Sequence, residues 1–291
     1  YPDWTATDTV QIAMSKALST NVGHLRLLQI AAALASEKGL SATAAQYQGW
    51  ADGLESAIAA RFWVADDGMF SSFLPSDLDP APARRYDLLG SALAVIARGG
   101  SAQERAEVVS SFPHLPKGAP VIWPQQQDVP IYHNRAIWPF ASALWLKAAK
   151  AADNAAAVEH GVRSLLRGAA LNLSNMENFE VATGAPWLEE GPTSGPVVDS
   201  QRQLWSVAGY LSLVQDVIFG LEAEQTGIRF SPYLPRGLRS SLFAGADSIA
   251  LSRLPYKGKL LSVVLHLGAL DGAASGALVP SSVSLDGQDV G

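Results

Sequence analysis

The sequence predicts a mainly α protein, a ring of helical hairpins followed by a small β-rich, sandwich-like region. Three observations carry that expectation. Apolar residues recur at three- and four-residue spacing through the first 222 or so residues. Long connections follow every second helix, at 63–85, 112–133 and 174–199, whereas the turn Lys38-Gly39-Leu40-Ser41 is short. After about residue 226 the texture changes to that of strands.

Helices are expected near 6–18, 21–38, 41–63, 86–98, 102–111, 134–151, 154–173 and 200–221. Tyr47, Trp50, Leu54, Ile58 and Phe62 line one face of the third, and Val162, Leu165, Ala169 and Leu173 one face of the seventh. Ile137, Ala141, Leu144 and Ala148 do the same in the sixth, and the last helix carries Leu204, Ala208, Leu211, Gln215 and Ile218. Gly39 is the stop signal and Ser41 the start signal of a tight hairpin. Long structureless loops in a compact domain are usually functional. Recurring after every second helix, they place the loops together at one pole of a ring. Beyond it, Ile228–Phe230, Ile249–Leu251 and Leu261–Leu267 read as strands, with Tyr256-Lys257-Gly258-Lys259 as a hairpin turn. The boundary is expected near Glu222, dividing the chain into 1–222 and 223–291.

Composition removes several function classes. Apolar residues make up 48% of the chain against 16% charged, which describes a well-buried protein. The net charge is −6 with no basic block, which argues against a nucleic-acid or anionic-membrane partner. No apolar run approaches the ~18 residues a bilayer requires. Cysteine is absent, and five scattered histidines form no HExxH, so no metal site or cofactor is expected. Calcium on loop carboxylates such as Asp77 and Asp79 stays open. Walker loops, dinucleotide glycine patterns and GxSxG elbows are missing too. The opening YPDWT assigns no compartment, leaving cytoplasm and periplasm both open, and oligomeric state is not legible.

The most informative stretch is NMENFEVATGAPWLEEGPTS at 175–194. It gathers Glu177, Glu180, Glu189 and Glu190 among Phe179, Trp187, glycines and prolines. Aromatics interleaved with acids make poor solvent-facing loops and good walls for a sugar. Cleaving a glycosidic bond needs one protonated carboxylic acid on the leaving oxygen and one carboxylate across the ring. An inverting enzyme holds them roughly 6.5–9.5 Å apart, room for a water. Two loops from opposite sides of one pole supply that geometry better than two neighbours on one helix.

Several segments resemble a known family. IYHNRAIWPFASALW (131–145) resembles the YHNGTxWPW segment of bacterial debranching-type glucosidases, with Arg135-Ala136 in place of Gly-Thr. YPDWT (1–5) resembles the Asp-Trp loop that carries the general acid in six-hairpin glycosidases. Glu177 to Gly184 resembles the E-x-[FY]-x-x-x-T-G segment that holds their base. Gln203 to Ala208 looks like the Q-x-W-S-x-A opening of their last barrel helix, and SPYLPRG (231–237) like the start of their C-terminal β-domain. The chain thus resembles the (α/α)6-toroid glycosidases, closest to the amylo-α-1,6-glucosidase-like hydrolases. A full toroid has twelve helices, so the first hairpins are expected to be missing here.

The resemblance implies Asp3 as general acid and Glu177 as general base, with Glu180 the substitute base if the register is shifted. It implies Trp4, Trp123, Tyr132, Trp138 and Trp187 as subsite walls. His133, Asn134, Arg135, Gln203 and Gln125 to Gln127 are suitable hydrogen-bonding partners, and Asp87 is a further candidate. Plainer readings stand beside these. Asp3 precedes Thr5, Thr7 and Asp8 and suits a helix cap. Glu177 suits an exposed acid past a helix end, and Glu189-Glu190 a solvated pair. His133 suits a satisfied structural group, and Trp145 the core. The function expected is an exo-acting, inverting glycoside hydrolase on an α-linked glucoside or short oligosaccharide. The alternatives are a phosphorylase of the same fold, with Arg202 and Arg135 as candidate phosphate contacts, and a non-catalytic carbohydrate-binding relic.

Overall fold

A computed structural model describes residues 13–126, 132–186, 199–224, 227–270 and 275–289. Among them seven helices make the main body: α1 (Leu18–Glu37), α2 (Ser41–Phe62), α3 (Leu88–Ile96), α4 (Ala102–Ser111), α5 (Pro139–Ala151), α6 (Ala155–Asn172) and α7 (Leu204–Ser212). Each of the first three pairs is a hairpin of one inner and one outer helix. Burial tells them apart. Nearly every side of α3 and α5 is buried, from Leu88 to Val95 and from Pro139 to Ala149. By contrast α2 buries only Ala51, Ile58 and Phe62, and α4 only Val108 and Val109. The inner helices stand side by side in the order α1, α3, α5, α7, an arc of a toroid.

A belt of two-residue strands ties this arc together at one pole. β1 (Lys16–Ala17) precedes α1 and pairs with β4 (Phe73–Leu74), which follows α2 and the β2 (Trp63–Val64) to β3 (Met69–Phe70) hairpin. In the second unit β5 (Tyr86–Asp87) precedes α3 and pairs with β6 (Ile122–Trp123) after α4. In the third, β7 (Ala136–Ile137) precedes α5 and pairs with β8 (Phe179–Glu180) after α6. Neighbouring units are linked by Ser72 N–H to Arg85 O, 2.7 Å, and Val121 N–H to Ala136 O, 2.8 Å. At the third junction Glu177 N–H donates to Ser200 O, 2.8 Å. The long loops are therefore not free connections: each returns to close its own hairpin and then reaches the next. The pole so built holds the N-terminal end of every inner helix.

This belt explains why three inner helices start later than their apolar patterns. The starts expected near 86, 134 and 200 move to Leu88, Pro139 and Leu204. The residues just before them spend their backbone groups on tertiary ladders, which no local propensity encodes. Residues 1–12, which include most of the first expected helix, lie outside the described residues.

Three expected stripes are corrected. Trp50 is 54% exposed beside Tyr47, although Ile58 and Phe62 of the same stripe are buried. Leu173 is 93% exposed because it caps α6 in a left-handed conformation, φ 49°. In α7 the stripe faces out: Leu204 is 83% and Leu211 53% exposed, whereas Ser206 and Gly209 are buried. Small residues face inward because α7 lies very close to α5. A Cβ built on Gly209 would sit 2.9 Å from Ala143 Cβ. Gly209→Val is expected to lower stability by about 1–3 kcal/mol through overpacking, read as a lower midpoint in urea. At the other end of the arc, α1 keeps Leu27, Ile30 and Leu34 in solvent at matching spacing.

After α7 a π-helical stretch, Leu213–Ile218, leads into strands. These form two-stranded sheets: β9 (Leu221–Ala223) with β10 (Ile228–Phe230), β11 (Leu234–Pro235) with β14 (Ala277–Leu278), β12 (Ser248–Tyr256) with β13 (Lys259–His266), and β15 (Ser284–Leu285) with β16 (Gln288–Asp289). The expected turn at Lys257-Gly258 joins β12 to β13, with φ of 46° and 78°. Leu234, Leu238 and Leu267 join the same apolar core as the helices. Among the described residues no helix is long and apolar enough to cross a membrane.

Candidate active site

The third unit of the belt brings the acidic loop against the turn that opens α5. Within 132–135 two non-glycine residues, Tyr132 and Arg135, have left-handed backbones, φ 45° and 62°. Such conformations cost of order 1–3 kcal/mol each, so something must hold them. Arg135 donates through Nη2 to Glu180 Oε1, 3.2 Å, and its carbonyl accepts from Val181 N–H, 2.9 Å. Trp138, 1% exposed, donates its indole N–H to Tyr132 O, 3.0 Å. Asn134, 2% exposed, uses both ends of its amide on the backbone of Gln126, at 2.8 and 2.9 Å. These contacts fix the direction in which Tyr132 projects.

Tyr132 projects at Glu177. Its phenol donates to Glu177 Oε1, 3.0 Å, and the Ser200 N–H donates to Oε2, 2.9 Å. Glu177 is 6% exposed. Burial, then the bond to Glu177, then the charges of Glu177 and Asp199, push the phenol up to about 12, so it stays protonated and donating. With one donor per oxygen among the described residues, Glu177 keeps lone-pair capacity for a further proton-bearing group.

Glu180 is used differently. Its Oε2 accepts from Ala182 N–H (3.0 Å), Thr183 N–H (2.7 Å) and the Thr183 hydroxyl (2.8 Å), while Oε1 takes Arg135. Burial raises this carboxyl, but those donors and the Arg135 charge outweigh it and hold the group below its ordinary range. A carboxylate so fully engaged is a weak base. The Thr183-Gly184 pair of the motif thus has a local purpose. Thr183 satisfies Glu180, and Gly184, φ 71°, donates its N–H to Glu180 O at 2.7 Å. Replacing Arg135 by Ala is expected to destabilise more than replacing it by Gly, by about 1 kcal/mol. Both lose the ion pair but only glycine relieves the left-handed backbone; paired urea titrations measure the difference.

Aromatic rings gather around Tyr132 and Trp138. His133 lies 4.5 Å from Tyr132 and 5.0 Å from Trp138, centroid to centroid. Trp205 stacks on Phe140 at 4.6 Å and 20°, is edge-on to Trp138, and is 44% exposed. Trp123 is half-buried in β6. Gln203 is half-buried and starts α7, its N–H donating to Asn175 O, 2.9 Å.

The remaining candidates divide. Asp3, Trp4, Trp187, Gln127, Glu189 and Glu190 lie outside the described residues. Gln125 donates to Ile122 O, 3.3 Å, and Gln126 accepts from Arg85. Asp87, 1% exposed, caps α3 through Gly90 N–H. Trp145 is core, its N–H bonded to His114 at 3.1 Å. Asp77 is ion-paired with Lys16, and Asp79 Oδ1 accepts from Ala81 N–H at 3.4 Å.

The sequence assigns no site role to Asp199, or to Trp205 beyond its place in the Q-x-W-S-x-A segment, yet both belong to this pole. Asp199 sits just before the start expected for the last helix, near 200, where an Asp reads as a cap. Instead its Oδ1 accepts from Asn178 N–H, 3.4 Å, and Oδ2 is buried with no partner among the described residues. The one signal for this corner is Trp205 itself, an aromatic in the first turn of a helix that begins at the pole.

No family model matches the sequence, and no curated protein does. Solved structures share the fold. One described as a sialidase superposes with a TM-score of 0.64 over 89% of this chain and 25% of that one, at 16% identity. A GH63 mannosylglycerate hydrolase from Thermus thermophilus, solved with glucose, gives 0.51 over 69% of this chain and 48% of that one, at 15% identity. An uncharacterized conserved protein from the same organism gives 0.50 over 69% and 46%, also at 15% identity. The chain spans between a quarter and about half the length of these structures. At such identities the likeness is one of fold alone, a toroid of helical hairpins.

Proposed function

We propose, from the toroid fold shared with glycoside hydrolases, that this chain carries the base side of a glycoside hydrolase site. Residues 1–222 form the catalytic part and 223–291 a small β-rich domain. The enzyme is exo-acting and inverting, on an α-linked glucoside or short oligosaccharide, with Glu177 as general base and Asp3 as general acid. The observation that carries this reading is the contrast between two glutamates three residues apart. Among the described residues Glu180 is engaged by four donors, whereas Glu177, at the pole and bonded to Tyr132, holds one on each oxygen.

In the proposed reaction Glu177 takes a proton from a water that attacks the anomeric carbon. The acid gives its proton to the leaving oxygen, and the anomeric centre is inverted. Tyr132 and Ser200 hold the carboxylate in one rotamer, so little freedom is lost at the moment of transfer. Trp205, Phe140, His133 and Trp123 offer apolar faces to sugar C–H groups. The phosphorylase alternative is less well supported, since Arg135, one of its two candidate phosphate contacts, is committed to Glu180 at 3.2 Å.

The test is a panel of α-linked glucosides and short oligosaccharides followed by proton NMR. The first product from an α-linked substrate is expected as the β-anomer; the α-anomer overturns inversion. Turnover that persists in both Asp3→Asn and Glu177→Gln overturns the site assignment. Turnover only with added phosphate selects the phosphorylase. Oligosaccharide binding without turnover selects a binding relic.

A further inference from the structure

Glu177 and Asn178 lie against Asp199 and Ser200 as a two-way clasp. Glu177 N–H donates to Ser200 O, Ser200 N–H donates to the Glu177 carboxylate, and Asn178 N–H donates to the Asp199 carboxyl. The clasp joins the two segments that carry the carboxyl groups of Glu177 and Asp199. The two carboxyl groups are not treated alike. Glu177 has a donor on each oxygen, whereas Asp199 has one long bond on Oδ1, 3.4 Å, and none on Oδ2 among the described residues. Asn178, fully buried, has both side-chain polar atoms without a partner among the described residues. A buried carboxylate oxygen with no donor costs far more than a buried neutral acid.

We infer that Glu177 and Asp199 form one carboxyl pair carrying a single negative charge, with the proton on Asp199 Oδ2 and the charge on Glu177. Asp199 is then a positioning residue: it stays neutral so that the neighbouring carboxylate is the ionised one, ready to take a proton. The catalytic consequence rests on Glu177 being the base; the pairing itself does not.

The electrostatics agree. Burial, outweighing the Asn178 bond, and the charge of Glu177 push the Asp199 carboxyl up to about 7. Among the described residues, the titratable groups that face it are Glu177 from the segment after α6 and Tyr132 from the turn before α5. Neither brings a positive charge that would favour ionisation. Because the folded carboxyl titrates above its ordinary value of 3.8, the folded state holds an extra proton between that value and about 7. Stability from this group is therefore full at low pH and lost as pH rises through about 7.

Carboxyl carbon NMR of the labelled chain tests the pair without any substrate. One aspartate resonance is expected to titrate near 7, to vanish in Asp199→Asn, and to move toward the ordinary aspartate range in Glu177→Gln. If no aspartate titrates above about 5, or if Glu177→Gln leaves the midpoint where it was, the pair is overturned. Wild type and Glu177→Gln suffice to decide if Asp199→Asn fails to fold. On a cleaved glycoside, Asp199→Ala is expected to lower kcat roughly tenfold or more. Asp199→Asn, neutral and of the same shape, is expected to restore most of that loss and to remove the step near pH 7. Equal losses in both variants with an unchanged pH profile overturn the positioning role. Absence of turnover on every glycoside counts against the hydrolase reading alone, since the NMR titration still judges the pair.

Discussion

Glu177→Gln is expected to lower kcat by about 10²–10⁴-fold, the usual contribution of a positioned general base, with KM changed much less. Gln keeps the size of the side chain but cannot take a proton, so binding survives while chemistry fails. The carboxylate is held by Tyr132 at 3.0 Å and Ser200 at 2.9 Å, so the amide takes the same place. Steady-state kinetics on a glycoside cleaved by the wild type measure it. A fall in kcat/KM produced mainly by KM would mean that the side chain binds substrate uniformly and is not the base. Tyr132→Phe gives a useful internal comparison. It removes one donor and leaves the carboxylate in place, so its loss should be smaller than that of Glu177→Gln.

Glu180→Ala is expected to show the largest loss of stability among the site variants, roughly 2–3 kcal/mol. The carboxylate accepts from two backbone N–H groups and a hydroxyl and pairs with Arg135, so removal orphans four donors at once. The figure is held below that of a fully buried pair because the Arg135 side chain is 43% exposed and can be resolvated. Chemical denaturation followed by circular dichroism measures it; a change under about 0.5 kcal/mol, the range of an ordinary surface residue, would remove Glu180 from its anchoring role. The pH dependence has a definite sign. The folded carboxyl lies below its ordinary value of 4.5, so its contribution is present above that value and is lost as pH falls through the folded one. The variant should lack that acid-side loss.

Much of this protein is legible in its sequence, and what is not has a common cause. Hairpins, pole and β-rich tail follow from apolar period, turn residues and the placement of long loops. The acidic loop marks itself by composition, with four glutamates among aromatics. How differently the two glutamates are engaged is not written locally, since both Glu177 and Glu180 are buried, at 6% and 8% exposure. The difference comes from remote partners: Tyr132 and Arg135 each lie 45 residues upstream of the glutamate they touch, and Ser200 lies 23 downstream of Glu177. The belt creates those meetings. Asp199 stays hidden for the same reason: an Asp before a helix reads as a cap until a remote backbone N–H and a second carboxyl are seen beside it.

The orientation of α7 is the sharpest case. Leu204, Ala208 and Leu211 have the period of a buried face, yet Leu204 and Leu211 face solvent while Ser206 and Gly209 face α5. Period reports that a helix has two faces; it does not report which one its neighbour has room for. The helical hairpins, the clustering of long loops at one pole and the residue types available for acid–base chemistry were all readable along the chain. Where each inner helix begins, which face of α7 turns inward, and how Glu177, Glu180, Asp199 and Tyr132 share donors and protons emerged only from packing in three dimensions. Helix formation depends on neighbours within one or two turns, whereas hydrogen-bond satisfaction and desolvation depend on whatever the folded chain brings within a few ångströms.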